Sequence, residues 1–139
     1  VLKRMCENYN LKNVFFLGKF PMKETSEIVN LCDVSIVSFK DLPILYTNSP
    51  NKLFDSLSAG KPIIVNSSGW TKEMVEKYNC GCYVNPNVPE DLVDKINFFV
   101  KNPNILGTMG ANSRALAEKE YDKEILTTKF VDLVLSKNV

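Results

Sequence analysis

The run Asn48-Ser-Pro-Asn-Lys-Leu-Phe-Asp55 holds the residues of this chain best suited to a phosphorylated, hydroxyl-bearing ligand. Ser49-Pro50 reads as an N-cap and a first helical residue, because proline's missing N–H costs nothing there. Asn51, Lys52 and Asp55 then fall on one side of the helix, while Leu53, Phe54 and Leu57 form an apolar stripe on the other. Free N–H groups at a helix start attract phosphate oxygens, a neighbouring lysine adds positive charge, and a carboxylate accepts hydrogen bonds from a diol. Each residue alone also has a plainer reading: Asp55 and Lys52 suit a solvated helix face, and Thr47 a loop. It is their grouping that argues for a ligand.

The elements that must position these residues are legible around them. Gly60 closes the helix, Lys61-Pro62 cannot continue it, and Ile63-Ile64-Val65 is a β-branched run suited to a strand covered on both faces. Further strands are predicted at Val14–Gly18, Asp33–Phe39 and Cys82–Val84, with the central one extending over Pro62–Asn66. Helices are predicted over 23–31, from Pro50, over 71–79 and 89–101, and roughly over 103–119 and 122–137, the last capped by Asp122. Leu2, Met5 and Cys6 share one side of what reads as a helix tail. Strand–helix alternation with short apolar strands predicts an α/β, Rossmann-like parallel sheet with helices on both faces. In such folds ligands bind beyond the carboxyl ends of the strands, where Gly18, Phe39 and Asn66 lie.

Composition narrows the function classes. The chain has 139 residues, 45% apolar and 24% charged, with a net charge of +1, which suits one globular domain. Its basic residues are dispersed, which speaks against nucleic acid, and no apolar run approaches the roughly 20 residues of a membrane span. There is no histidine, and cysteines at 6, 32, 80 and 82 form no C-x-x-C pair, so zinc and histidine-based catalysis are not expected. Cys32 reads as a small buried hydrophobe, and a reduced, cytoplasmic setting is the plain expectation. The opening Val1-Leu-Lys-Arg-Met, with neither an initiating methionine nor a signal-peptide core, suggests a chain that starts partway through a longer one.

Five segments occur in an order that points to a family: Asn13–Phe20, Leu31–Val37, Ser49–Asp55, Ala59–Ile64 and Gly69-Trp70. On these the chain resembles the carboxy-terminal, donor-binding half of glycosyltransferase family 4, retaining enzymes of the two-domain GT-B fold. Its Ser-Pro-Asn-Lys signature is similar to that of the bacterial polysaccharide and O-antigen branch. The resemblance implies a partial nucleotide-sugar-binding domain over 1–139 and a donor that is a UDP-sugar. The implied donor-contacting residues are Gly18, Lys19, Thr47, Asn48, Ser49, Asn51, Lys52, Leu53 and Asp55. Amides around Ser49 to Lys52 would hold the diphosphate, Asp55 the ribose hydroxyls, and the Gly18-Lys19-Phe20 turn would lie near the base.

Many members carry two acidic residues separated by seven others. Asp55 matches the second, shortened from glutamate, whereas the first falls on Thr47, a departure at a position that normally meets the donor sugar. The family's mechanism needs no metal or cofactor. Its basic catalytic residues lie upstream, so no catalytic residue is expected here and the chain alone should not turn over. An amino-terminal acceptor domain is an expected partner, and the intact enzyme leaves room for peripheral membrane association. Two further strands of the family's donor domain would also precede this segment, which predicts a gap between the strands at Val14 and Val34. Two rivals stand beside this reading: a non-catalytic Rossmann-like nucleotide-binding or interaction module, and a sugar-nucleotide epimerase of the same architecture.

Overall fold

A computed structural model describes residues 1–136. Helix α1 (Leu2–Asn8) and helix α2 (Met22–Leu31) precede strand β1 (Ser35–Val37). A 3₁₀ helix (Pro43–Thr47) leads into α3 (Asn51–Ser58), then β2 (Ile63–Val65), α4 (Trp70–Lys77) and β3 (Gly81–Tyr83). Three helices follow: α5 (Pro89–Lys101), α6 (Pro103–Glu120) and α7 (Lys123–Ser136). The sheet is parallel in the order β1-β2-β3, with Ser35 opposite Ile63 and Ile63 opposite Gly81.

Helices cover both faces of this sheet, as the alternation predicts. Ile63 and Val65 point to one side and pack with Val37, Leu53 and Leu57 of α3, Met74 and Val75 of α4, and Leu116 of α6. Ile64 points to the other, where Phe99 of α5 joins it, with Leu92, Ile105 and Met109 packed alongside. All three residues of β2 are buried, which is why its sequence is apolar without alternation.

Helix α3 stops where the sequence says it must. Gly60 takes φ +63°, its N–H bonds Leu57 O at 2.9 Å, and the Lys61 N–H returns to Ser56 O at 3.0 Å. The same closure recurs twice with asparagine in place of glycine, at Asn10 (φ 50°) after α1 and Asn79 (φ 47°) after α4. Helix α6 then seats on the α3–β2 turn. A Cβ on Gly110 would lie 2.4 Å from Gly60 O, and the buried Ser113 hydroxyl donates toward Lys61 O and Cys80 O.

Four expectations are corrected. Val14–Gly18 forms no strand, and Phe15 is 77% exposed, because no described strand lies alongside to pair with it. Cys32 is exposed rather than buried: α2 ends at Leu31, itself exposed, so Cys32 lies on the way out of the helix instead of beneath the sheet. The predicted strand over 33–39 pairs only over Ser35–Val37. Helix α3 begins one residue late, since Pro50 is extended (ψ 130°) and itself holds the N-cap position, leaving Ser49 outside with no capping bond. Asp122 does cap α7, its Oδ1 accepting from the N–H groups of Glu124 and Ile125.

Candidate functional site

The carboxyl ends of β1 and β2 lead into two segments that run side by side, residues 39–48 and 66–70. Their contacts follow one another in parallel order. The Asn66 carboxamide accepts from the Phe39 N–H at 2.8 Å and donates to the Phe39 carbonyl at 2.9 Å. The Ser67 hydroxyl donates to Leu45 O. Tyr46 O lies only 2.0 Å from where a Cβ on Gly69 would stand, so that crossing requires glycine. Trp70 Nε1 donates to Asn48 O at 3.0 Å. The segment that delivers Thr47, Asn48 and Ser49 to the start of α3 is thus held at Phe39, Leu45, Tyr46 and Asn48 by the segment after β2.

At the start of α3 the N–H groups of Asn51 and Lys52 meet no backbone acceptor among the described residues, and no side chain caps them. Lys52 folds back over the Phe39 ring, its Nζ 4.8 Å from the centroid and 3.3 Å from Ser38 O. Its charge therefore stands at the carboxyl end of β1, beside the free amides. Asp55, one turn along, is exposed, and its carboxylate has no hydrogen-bond or ion-pair partner among the described residues. Leu53 is fully buried and takes part through packing alone. Behind α3, the buried Ser56 hydroxyl bonds Ser35 Oγ and Lys52 O, each at 2.6 Å, tying the helix to β1. The arrangement is an open shelf: free amides, a restrained cation and an unpaired carboxylate within one helical turn.

The structure brings Asn48, Ser49, Asn51, Lys52 and Asp55 together at this shelf. Thr47 ends the 3₁₀ helix with its hydroxyl on Ile44 O. Gly18 and Lys19 are not joined to it: they lie in the unpaired stretch before α2, with no side-chain hydrogen bond or ion pair to α3. Gly18 takes φ +86° in open space.

A family model described as "Glycosyl transferases group 1" matches residues 1–116. The chain belongs to that family. Among its relatives is TuaH of Bacillus subtilis (strain 168), whose name describes a teichuronic acid biosynthesis glycosyltransferase; it is 33% identical over 72 residues, covering 52% of this chain and 18% of TuaH. The fold matches that of sucrose-phosphate synthase from Thermosynechococcus elongatus, with TM-score 0.84, 19% identity and coverage of 97% of this chain and 33% of that one. It also matches Anabaena HepE, solved in complex with UDP, with TM-score 0.77, 20% identity and coverage of 97% and 36%. This family member therefore spans about a fifth of TuaH and about a third of each solved chain.

Two depressions in the family member lie away from the shelf. One of about 410 Å³ sits between α1 and residues 10–16. An apolar one of about 250 Å³ is lined by Val34, Ile36, Ile64, Ile96 and Phe99. The first is lined in part by Lys3, Glu7, Asn10 and Lys12, but neither lies at the carboxyl ends of the strands as the start of α3 does. Among the described residues, no cluster of three or more His, Cys, Asp or Glu could hold a metal ion. No described helix is long and apolar enough to cross a membrane.

Sequence reasoning missed two hydrogen-bonded links of the site. Trp70 packs against the core cluster that holds Val37, Ile63 and Val65 and stacks with Phe54 of α3 (6.3 Å, 22°), while its N–H holds Asn48. Asp41 accepts from the Tyr46 hydroxyl at 2.7 Å and the Asn87 amide at 3.0 Å, and these two donors hold its carboxyl below its ordinary pKa. A polar residue directly after an apolar strand, as Asn66 is, was the one signal available for this network.

Proposed function

We propose that this chain is the donor-binding part of a retaining glycosyltransferase that moves a sugar from a UDP-sugar to a polysaccharide or lipid-linked acceptor. The observation that carries the reading is the start of α3, where two unengaged amides, Lys52 and Asp55 share one turn at the carboxyl end of a parallel sheet. Membership of the glycosyl transferases group 1 family supports the reaction class. The UDP in the HepE structure and the name of TuaH favour the uridine donor and the polysaccharide product.

In this reading the Asn51 and Lys52 amides and the Lys52 ammonium receive the diphosphate, with Ser49 and Asn48 flanking it. Asp55 accepts the ribose hydroxyls, Thr47 faces the sugar, and Gly18 and Lys19 approach the base. The positive end of the helix would stabilise the departing diphosphate without a metal, since the charge that develops on bond cleavage lies on phosphate oxygens. The acceptor domain and the basic residues of the reaction belong to the remainder of such an enzyme, acting on the cytoplasmic side.

Calorimetric titration with UDP tests this. Saturable binding is expected, weakened at least about tenfold by Asp55→Ala, the cost of losing a charge-assisted hydrogen bond to a diol. Asp55 is exposed, so the thermal midpoint should stay the same. Absence of saturable binding to the folded chain, or equal binding by the variant, would overturn the reading.

A further inference from the structure

We infer that Asp41 is a positioning residue for donor binding, clasping the loop that delivers Thr47, Asn48 and Ser49 to the candidate site; this rests on the donor-binding reading above. The loop 39–48 is held on one side by the 66–70 segment, at Phe39, Leu45, Tyr46 and Asn48. Between Phe39 and Leu45 the segment makes no hydrogen bond to 66–70 among the described residues, and Leu42 is 46% and Ile44 77% exposed. Its backbone bonds are local, from the Leu42 N–H to Lys40 O and from the Leu45 N–H to Leu42 O. Asp41 is the side chain in this stretch that reaches out of it, to Asn87.

Its two oxygens are divided between two directions. Oδ1 takes the Tyr46 hydroxyl within the loop, and Oδ2 takes the Asn87 amide from the turn after β3, which is 46 residues away. The Asn87 turn is itself held, because the Asn87 N–H donates to Asn85 Oδ1 and the Asn85 N–H to Asp91 Oδ2 at the start of α5. Asp41 thereby connects the loop to the third strand's exit, and Tyr46 carries the restraint to the residue next to Thr47. Tyr46 cannot shift independently, since its carbonyl already abuts Gly69. A ligand that meets this loop finds it already ordered, and does not spend affinity on ordering it.

The test compares Asp41→Ala with the exchange Asp41→Asn/Asn87→Asp. The exchange keeps an acceptor for Tyr46 and a donor–acceptor pair across the turn, with the carboxylate moved to the other partner. Calorimetry with UDP and amide hydrogen exchange over 42–49 are read on the folded full chain, with the thermal midpoint as the folding control. Asp41→Ala should weaken UDP about tenfold and speed exchange in the loop, and the exchange variant should recover both. Faster exchange with unchanged UDP affinity overturns the proposal. So does weakened binding that the exchange variant fails to rescue, which would assign the effect to a charge required at position 41 and not to the hydrogen-bonded clasp. A wild-type chain that binds no UDP at all removes the donor-binding reading itself, and this inference with it.

Discussion

Single residues in this chain matter most where a backbone comes too close for a side chain. Gly81 opens β3 directly against β2, and a Cβ there would stand 1.9 Å from Ile63 O and within 3 Å of the Ile63 carbonyl carbon and nitrogen. All three atoms belong to the central, fully buried strand, so none can swing aside. Gly81→Ala is expected to cost about 3 kcal/mol, at the upper end of overpacking in a dense core. Urea unfolding should show a lower midpoint at unchanged slope. The same sterics explain why Gly69 stands where the chain crosses Tyr46. Neither glycine's purpose is visible in the sequence, because the atom each avoids is 18 or more residues away (Ile63 from Gly81, Tyr46 from Gly69).

At the scale of elements, helix α3 shows what local signals can and cannot specify. Its apolar stripe, its glycine stop and the strand that follows were legible because each depends on neighbours within a few residues. Gly60→Ala should cost about 1–2 kcal/mol, the penalty of a left-handed residue with a Cβ, and Gly60→Asn clearly less. The Cβ itself would meet Gly110 O at 3.4 Å, ordinary contact, so the loss is conformational. Thermal melts of the two variants side by side decide this. Asn10 and Asn79 already show asparagine performing the same closure. Val14–Gly18 failed for the opposite reason. Its pattern suits a strand, yet strand formation requires a partner at hydrogen-bonding distance, and β1 pairs only with β2 among the described residues. The Asp41–Asn87 link was likewise unreadable, since two polar side chains 46 residues apart leave no periodic trace. The shelf's residues could be picked out; the network that holds them could not.

The molecule as a whole carries its titration risk at high pH. Burial pushes the Cys80 and Cys82 thiols from an ordinary 9.0 up to about 11, and burial also raises Tyr83 and Tyr121. Between pH 9 and about 11 the unfolded chain therefore gives up protons that the folded chain retains, and stability falls through that window. Urea midpoints at pH 8 and pH 10.5 should show the drop, and Cys82→Ala should shrink it. A different property of the whole follows from the paired segments beyond β1 and β2. Five residues, 66–70, measure out the same distance as ten, 39–48, with contacts matched in sequence from Phe39 to Asn48. The surplus length is all stored between Phe39 and Leu45. Over evolutionary time, insertions and deletions should accumulate there and be purged from 66–70, where one added residue would put every later contact out of step.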